Sequence, residues 1–230
     1  RDKICGDALS GKVTEVFNKL DHTFVEALNK RADMALGSWG VVFVAPSGEA
    51  LQVPFRTKKE NALPPGYISK RLDFDNWLLE QAKSNPFITF REATEVRQYA
   101  YHDTGIIATA THGECFDAKL VIACDGAYSA FAKDIAGFTT EPAHNCFGLR
   151  AYYQGVEGMH HENFIELHFI PEILPGYFWI FPLPGGYANV GIGMRADKMQ
   201  QKNIHLKKAL EQVLTTHPVI KERFKNAVPV

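Results

Sequence analysis

"PGYFWIFPLPGGYANVGIG", residues 175–193, is the stretch whose reading decides the fold. Tyr177, Trp179 and Phe181 alternate with Phe178 and Ile180, so on a strand the first three rings share one face and the other two side chains point away. Pro182, Pro184, Gly185 and Gly186 force a turn, and Asn189 begins the polar side of a returning strand. A wall of three rings suits an apolar or planar ligand, and Tyr177 adds a hydroxyl. The other reading of the same rings is packed sheet core.

Further strands flank this hairpin. FGLRAYYQGV (147–156) and NFIELHFIP (163–171) are both apolar enough to join the same antiparallel sheet. Ile165, Leu167 and Phe169 alternate with Glu166 and His168, which predicts a sheet with one wet face carrying the glutamate and the histidine. The C-terminal stretch is helical, with a stripe of Leu206, Ala209, Leu210, Val213 and Leu214 and Asn203 as its cap. Pro218 breaks it before a last turn at VIKERF.

Towards the N-terminus, ALSGKVTEVFNKL (8–20) predicts a helix with Leu9, Val13, Val16, Phe17 and Leu20 on one side, capped by Ser10 or Asp7. WGVVFVAPSGEALQVPF (39–55) predicts a hairpin turning at Pro46-Ser47-Gly48. LDFDNWLLEQAKS (72–84) is a helix started by Asp73 or Asp75 and stopped by Asn85-Pro86. Residues 93–124 form a three-strand meander with turns at 103–105 and 112–114. The pattern is α+β, or an α/β fold without its start.

KLVIACDGAYSAFAK (119–133) reads as a buried strand at Leu120–Ala123, a sharp turn and a helix near Tyr128–Ala136. Asp125 then emerges at the strand's carboxyl end, where α/β sheets gather ligands, and can accept from ribose hydroxyls. Gly126 lets a ligand approach the backbone, and the helix start favours phosphate. A junction merely turned and capped by Asp125 and Ser129 is an equal reading. Cys5, before Gly6, is either a reactive thiol at a helix start or a small buried apolar residue.

Composition excludes several classes. The formal charge is −1 with no long basic run, so a nucleic-acid partner is not expected. No apolar run approaches the roughly 18 residues of a membrane span. Four cysteines without a Cys-x-x-Cys pair argue against a disulfide framework and for a reducing cytoplasm. His160, His161, Glu162, Glu166 and His168 match no helix-based ligand spacing, so no metal site is expected. Gly-x-Ser-x-Gly is absent, and Gly191-Ile192-Gly193 lacks the further glycine and helix of a dinucleotide loop.

CGDAL (5–9), ISKRLDFDNWLL (68–79), VIACDGAYSAFAK (121–133) and residues 175–193 occur in the order found in FAD-dependent geranylgeranyl reductase-like flavoproteins of the p-hydroxybenzoate-hydroxylase fold, which the chain resembles over nearly its whole length. The Asp-Gly turn is shared by many flavin monooxygenases; the Tyr-x-Trp-x-Phe-Pro stretch and CGD are more specific to the reductase branch. The resemblance implies FAD as cofactor and NAD(P)H as a candidate electron donor. It implies cofactor contacts from Gly6, Asp7, Arg71, Asp125, Gly126 and Ser129, with Cys5 and Tyr177 as candidate proton donors. Tyr177, Trp179 and Phe181 would line a cavity for a hydrophobic isoprenoid or polyene substrate.

The implied architecture is a partial α/β FAD-binding domain (1–38 and 62–138) plus an antiparallel-sheet substrate domain with flanking helices (39–61 and 139–230). The chain begins RDKICGDAL, without the family's glycine-rich first unit, and ends before its later Gly-Asp segment. It is therefore expected to be the middle of an oxidoreductase, inactive and colourless alone. An aromatic monooxygenase or halogenase is the alternative enzyme, and a non-catalytic substrate-binding or interaction domain the alternative class. Self-association and a cytoplasmic, membrane-peripheral location complete the expectations.

Overall fold

In the computed structural model, which describes residues 2–56 and 62–230, the hairpin at 175–193 is the middle of a seven-stranded sheet. The chain divides into two compact units, Arg1–Glu80 with Pro142–Val230, and Gln81–Glu141. Residues 1–38 and 62–80, expected in the FAD-binding part, thus cluster with the large sheet; residues 57–61 lie outside the described residues.

The first unit starts with β1 (Ala8–Leu9), α1 (Gly11–Leu20), α2 (Thr23–Asn29), β2 (Ala35–Ser38), β3 (Gly40–Val44), β4 (Ala50–Pro54), β5 (Gly66–Ser69) and α3 (Arg71–Lys83), the helix belonging to this unit up to Glu80. The second holds β6 (Val96–His102), β7 (Gly105–Ala110), β8 (Cys115–Ala118) and α4 (Ala130–Asp134). The chain then returns to the first through β9 (Cys146–Gln154), β10 (Ile165–His168), β11 (Tyr177–Leu183), β12 (Tyr187–Arg195), α5 (Ala196–Gln201), α6 (Leu206–Thr216), α7 (Pro218–Arg223) and β13 (Val228–Pro229). This is an α+β fold.

The large sheet runs β13-β9-β12-β11-β10-β3-β4, antiparallel except where β10 lies parallel to β3. β11 and β12 pair from Tyr177↔Gly193 to Leu183↔Tyr187, joined by Pro184–Gly186 with Gly185 and Gly186 at positive φ. Trp179 lies opposite Gly191, whose missing side chain leaves the indole its room.

Both faces of this sheet are covered. Phe178, Ile180, Val190 and Ile192 pack under Leu210 and Val213 of α6 and Ile220 of α7. Trp179, Phe181 and Leu183 face the other way, against Ile68 of the small sheet β1-β5-β2. That sheet shares a second core with α1, α2 and α3 through Phe17, Leu28, Tyr67, Phe74 and Trp77. Each such aliphatic or aromatic side chain contributes about 1.5–3 kcal/mol on burial.

Several expectations hold. Ser10 caps α1 with its hydroxyl, the 39–55 hairpin forms, α3 ends before Asn85-Pro86, and the meander is three-stranded. Others are corrected. Val16 and Leu20 of α1 are exposed, because the helix buries a narrow stripe centred on Phe17. α3 begins at Arg71, ahead of both aspartates proposed to start it. Asn203 sits at positive φ, and His205 occupies the N-cap of α6. Glu166 and His168 are buried, not wet, since α7 covers their face and Arg223 supplies a counter-charge.

The strand expected at Leu120–Ala123 does not form. Leu120 and Ile122 are 74% and 78% exposed, with no ladder partner among the described residues. An apolar parallel strand needs neighbours on both edges and cover on both faces, and this stretch has neither here. The helix after it shrinks to Ala130–Asp134. Within this second unit Ile106, Ala108 and Ala110 turn one face of the meander inward, and Phe131 sets its ring edge-on to Tyr99 at 4.8 Å.

Candidate active site

Cys5-Gly6-Asp7 lies across the aromatic face of the large sheet. A methyl group at Gly6 would stand 2.7 Å from Phe181 Cε2, so glycine lets the backbone rest on that ring. Asp7 follows at φ 68°, in the left-handed region, and is fully buried. Side-chain hydrogen bonds can repay that backbone strain. Tyr152 Oη donates to Asp7 Oδ2 at 2.9 Å, Asn189 Nδ2 to the same oxygen at 2.7 Å, and the Arg71 backbone N–H to Oδ1 at 3.2 Å. The Asp7 carbonyl accepts from Ser69 N–H.

Asn189 is the hub. Its Nδ2 also donates to the Cys5 carbonyl at 2.7 Å, and its Oδ1 accepts from Trp179 Nε1 at 2.8 Å. One fully buried amide therefore fixes the Cys5–Asp7 segment to the tryptophan beneath it. Burial pushes the Asp7 carboxyl above its ordinary value, and the bonds from Asn189, Tyr152 and Arg71 pull back only part of that shift. Burial, and then the Asp7 carboxylate, push the Tyr152 phenol up as well.

Cations surround this segment. Arg71 grips Asp75 with Nε at 2.9 Å and Nη2 at 2.7 Å, Lys3 reaches the same carboxylate at 2.7 Å, and Arg71 Nη1 stands 3.9 Å from Cys5 Sγ. Burial raises the Asp75 carboxyl, but Lys3 and Arg71 outweigh it and hold the group below the ordinary range. Lys70 Nζ lies over the rings of Tyr187 and Tyr152, and Arg150 stacks on Tyr152 from 4.1 Å.

Cys5, Gly6, Asp7, Arg71, Trp179 and Phe181 are thus brought into one neighbourhood. Tyr177 continues the ring row, 5.9 Å from Trp179, and is 40% exposed, whereas Trp179 and Phe181 are buried. Asp7 differs from its expected place as a cofactor ligand, because both its oxygens are taken inside the protein. Cys5 differs in not sitting at a helix start, since β1 intervenes before α1 at Gly11. Asn189 and Tyr152 were not singled out by sequence as site residues; the only signal was a polar residue inside an apolar strand.

In the second unit, Asp125, Gly126 and Ser129 line an open groove of about 440 Å³ with Val121, Phe131 and Phe138. Gly126 adopts φ 94° with open space beside it, so the turn itself requires glycine. Ser129 Oγ is engaged, accepting from the Ala132 N–H at 2.9 Å. Asp125 makes no hydrogen bond among the described residues, which leaves an exposed carboxylate free to accept hydroxyls. That acceptor in an open groove fits the ribose-hydroxyl chemistry of FAD. Among the described residues no cluster of His, Cys, Asp or Glu could hold a metal ion, and no helix is long and apolar enough to cross a membrane.

Comparison with known proteins bears on the family of the chain. A family model described as FAD binding domain matches residues 28–165, and one described as geranylgeranyl reductase catalytic domain matches residues 147–228. Digeranylgeranylglycerophospholipid reductase 2 of Methanopyrus kandleri is 29% identical over 194 residues, 81% of this chain and 45% of its own length. A geranylgeranyl bacteriochlorophyll reductase-like structure from Thermoplasma acidophilum superposes with a TM-score of 0.67 at 21% identity, over 98% of this chain and 54% of that one. The flavin-dependent brominase Bmp2 superposes with a TM-score of 0.78 at 18% identity, over 100% and 56%. At such identities the structural likeness shows the fold, and the chain spans about half the length of the proteins it matches. FAD is the cofactor of this group, and with more than half of the chain matched by its model, the chain belongs to the FAD-binding-domain family, on the branch of the geranylgeranyl reductase-like flavoproteins.

Proposed function

We propose that the chain forms part of an FAD-dependent oxidoreductase that reduces alkene bonds of a prenyl or polyene lipid. The observation that carries this reading is a coincidence of position. The reductase catalytic-domain match, residues 147–228, covers the strands that set Trp179, Phe181 and Asn189 against Cys5–Asp7. Bound and reduced, FAD supplies hydride. Within the second unit, Asp125 would accept from its ribose hydroxyls and Gly126 would admit it to the backbone; Gly6 and Arg71 are the candidate cofactor contacts of the first unit, taken by itself.

The chain's own residues do the rest. Cys5 holds a proton at Sγ for the substrate carbon, and the Arg71 guanidinium stabilises the thiolate left behind. Asn189 fixes the Cys5 carbonyl and so the direction of the thiol. Trp179 and Phe181 are packed in the core, so of the ring row the half-exposed Tyr177 would meet the hydrocarbon chain, and its hydroxyl is a second proton source. NAD(P)H is the proposed electron donor. A lipid substrate favours contact with a membrane surface, tested by vesicle flotation. The exposed Leu120 and Ile122 favour self-association, tested by light scattering.

The test is anaerobic incubation of the whole protein with FAD, NAD(P)H and a geranylgeranyl lipid, followed by mass spectrometry. A gain of two hydrogens for each double bond is expected, and Cys5→Ser with FAD still bound should abolish it. Oxygen consumption coupled to NAD(P)H, with no lipid reduction, would identify a monooxygenase instead.

A further inference from the structure

On the opposite face of the large sheet from Cys5, a cavity of about 470 Å³ opens beside Glu166 and His168. Its apolar walls include Val42 and Val44 of β3, Ile170, and Val219 of α7. Its polar residues include Glu166, His168, Arg223 and His217, together with Ser47, Gln52 and His160. A buried ion cluster beside an apolar cavity is a poor source of stability, since hydrophobic residues of similar volume usually serve as well or better. Such clusters are candidates for function.

The hydrogen bonds fix what each group can still offer. Arg223 takes Glu166 with Nη1 at 2.5 Å and Nη2 at 2.8 Å, and donates onward to the carbonyls of Glu157 and Gly158. Among the described residues Glu166 is the only acid lining the cavity, and Arg223 balances it. Burial raises the Glu166 carboxyl, but Arg223 and His168 outweigh burial and hold it below its ordinary range, so it is ionised and accepts. His168 Nε2, 3.0 Å from Glu166 Oε2, is therefore the donor, and in the ring form carrying one proton the Nδ1 is an acceptor. Among the described residues that Nδ1 has no partner, and it is not sealed off. His217 is the converse. Its Nδ1 accepts from the Ile220 N–H at 3.3 Å, so its proton sits on Nε2 as a donor. Burial is the main cause that lowers its pKa below the ordinary imidazole value.

We infer that this cavity is a binding site for a neutral, apolar molecule bearing one hydroxyl, which donates to His168 Nδ1 and accepts from His217 Nε2–H. Among the described residues the cavity offers no free charge, so the same hydrocarbon with a carboxylate or an ammonium would be desolvated without a counter-ion. The site is separate from the aromatic face and independent of the flavin reaction.

The experiment uses three probes with one hydrocarbon body, 1-octanol, octanoate and octylammonium. They are titrated by calorimetry into the purified chain at pH 8, above the ordinary imidazole value. Octanol should bind, with octanoate and octylammonium about tenfold weaker or worse. His168→Phe should erase the preference for the alcohol. Val219→Trp, at an exposed position that tolerates change, should fill the cavity and abolish binding of all three. Octanol that fails to bind at millimolar concentration, binds equally well to Val219→Trp, or binds no better than octanoate would overturn the inference.

Discussion

Asn189→Leu tests the centre of the site. Leucine keeps the volume and removes three hydrogen bonds at once, from Asn189 Nδ2 to Cys5 O and to Asp7 Oδ2, and from Trp179 Nε1 to Asn189 Oδ1. Trp179 Nε1–H is left as an unpaired donor in an apolar core. Asp7 Oδ2 keeps Tyr152, so it is weakened and not orphaned. A buried unsatisfied group costs about 1–3 kcal/mol, and a lost bond to a charged group about as much, so a total of about 3–5 kcal/mol is expected. Against the roughly 5–15 kcal/mol that stabilises a typical domain, that is a large fraction. Urea unfolding followed by tryptophan fluorescence and circular dichroism would read it as a lower midpoint at unchanged slope. Adding Trp179→Phe removes the orphaned N–H, so the double variant should lose about 1–2 kcal/mol less than the two single losses added together. A single-variant cost below about 1 kcal/mol, or strict additivity, would show that the amide does not bridge tryptophan and loop.

Three further outcomes follow from the same geometry. Gly191→Ala drives a methyl group into the Trp179 indole and the Leu149 carbonyl, and Gly6→Ala meets Phe181; thermal unfolding should drop by an amount equivalent to about 1–3 kcal/mol, more for Gly191 because backbone cannot swing aside. Glu166 is held below the ordinary carboxyl range, so its pairing adds stability at neutral pH that fades as pH falls through its folded-state value; Glu166→Gln should flatten the acid limb of a stability–pH profile. Asp7 has the opposite sign. Its raised carboxyl makes its contribution greatest at low pH and lost as pH rises through the folded-state value, so urea midpoints of Asp7→Asn, relative to the parent, should improve on going from acid to neutral pH.

How much of this was legible in the sequence depends on what periodicity encodes. Alternation at 164–170 correctly put Glu166 and His168 on one side of a strand and Ile165 and Leu167 on the other. It could not tell which side is covered. Here both are, because Trp179 and Phe181 draw Ile165 and Leu167 into one core while α7 closes over the polar pair. Arg223, the residue that makes burial of Glu166 tolerable, lies 57 positions away, and Asn189 lies 182 positions from Asp7. No local pattern carries such pairs. The failure at Leu120–Ala123 has the same root. Four apolar residues specify an apolar environment, and the strand exists only where neighbouring chain supplies ladders on its edges. The hairpin at 175–193 was legible for the converse reason, since its partner, its turn and its aromatic face all lie within nineteen consecutive residues. Polar residues that look surplus to such a self-contained element, as Asn189 does, are therefore the ones whose partners must be sought far along the chain, and here that search ends at the candidate site.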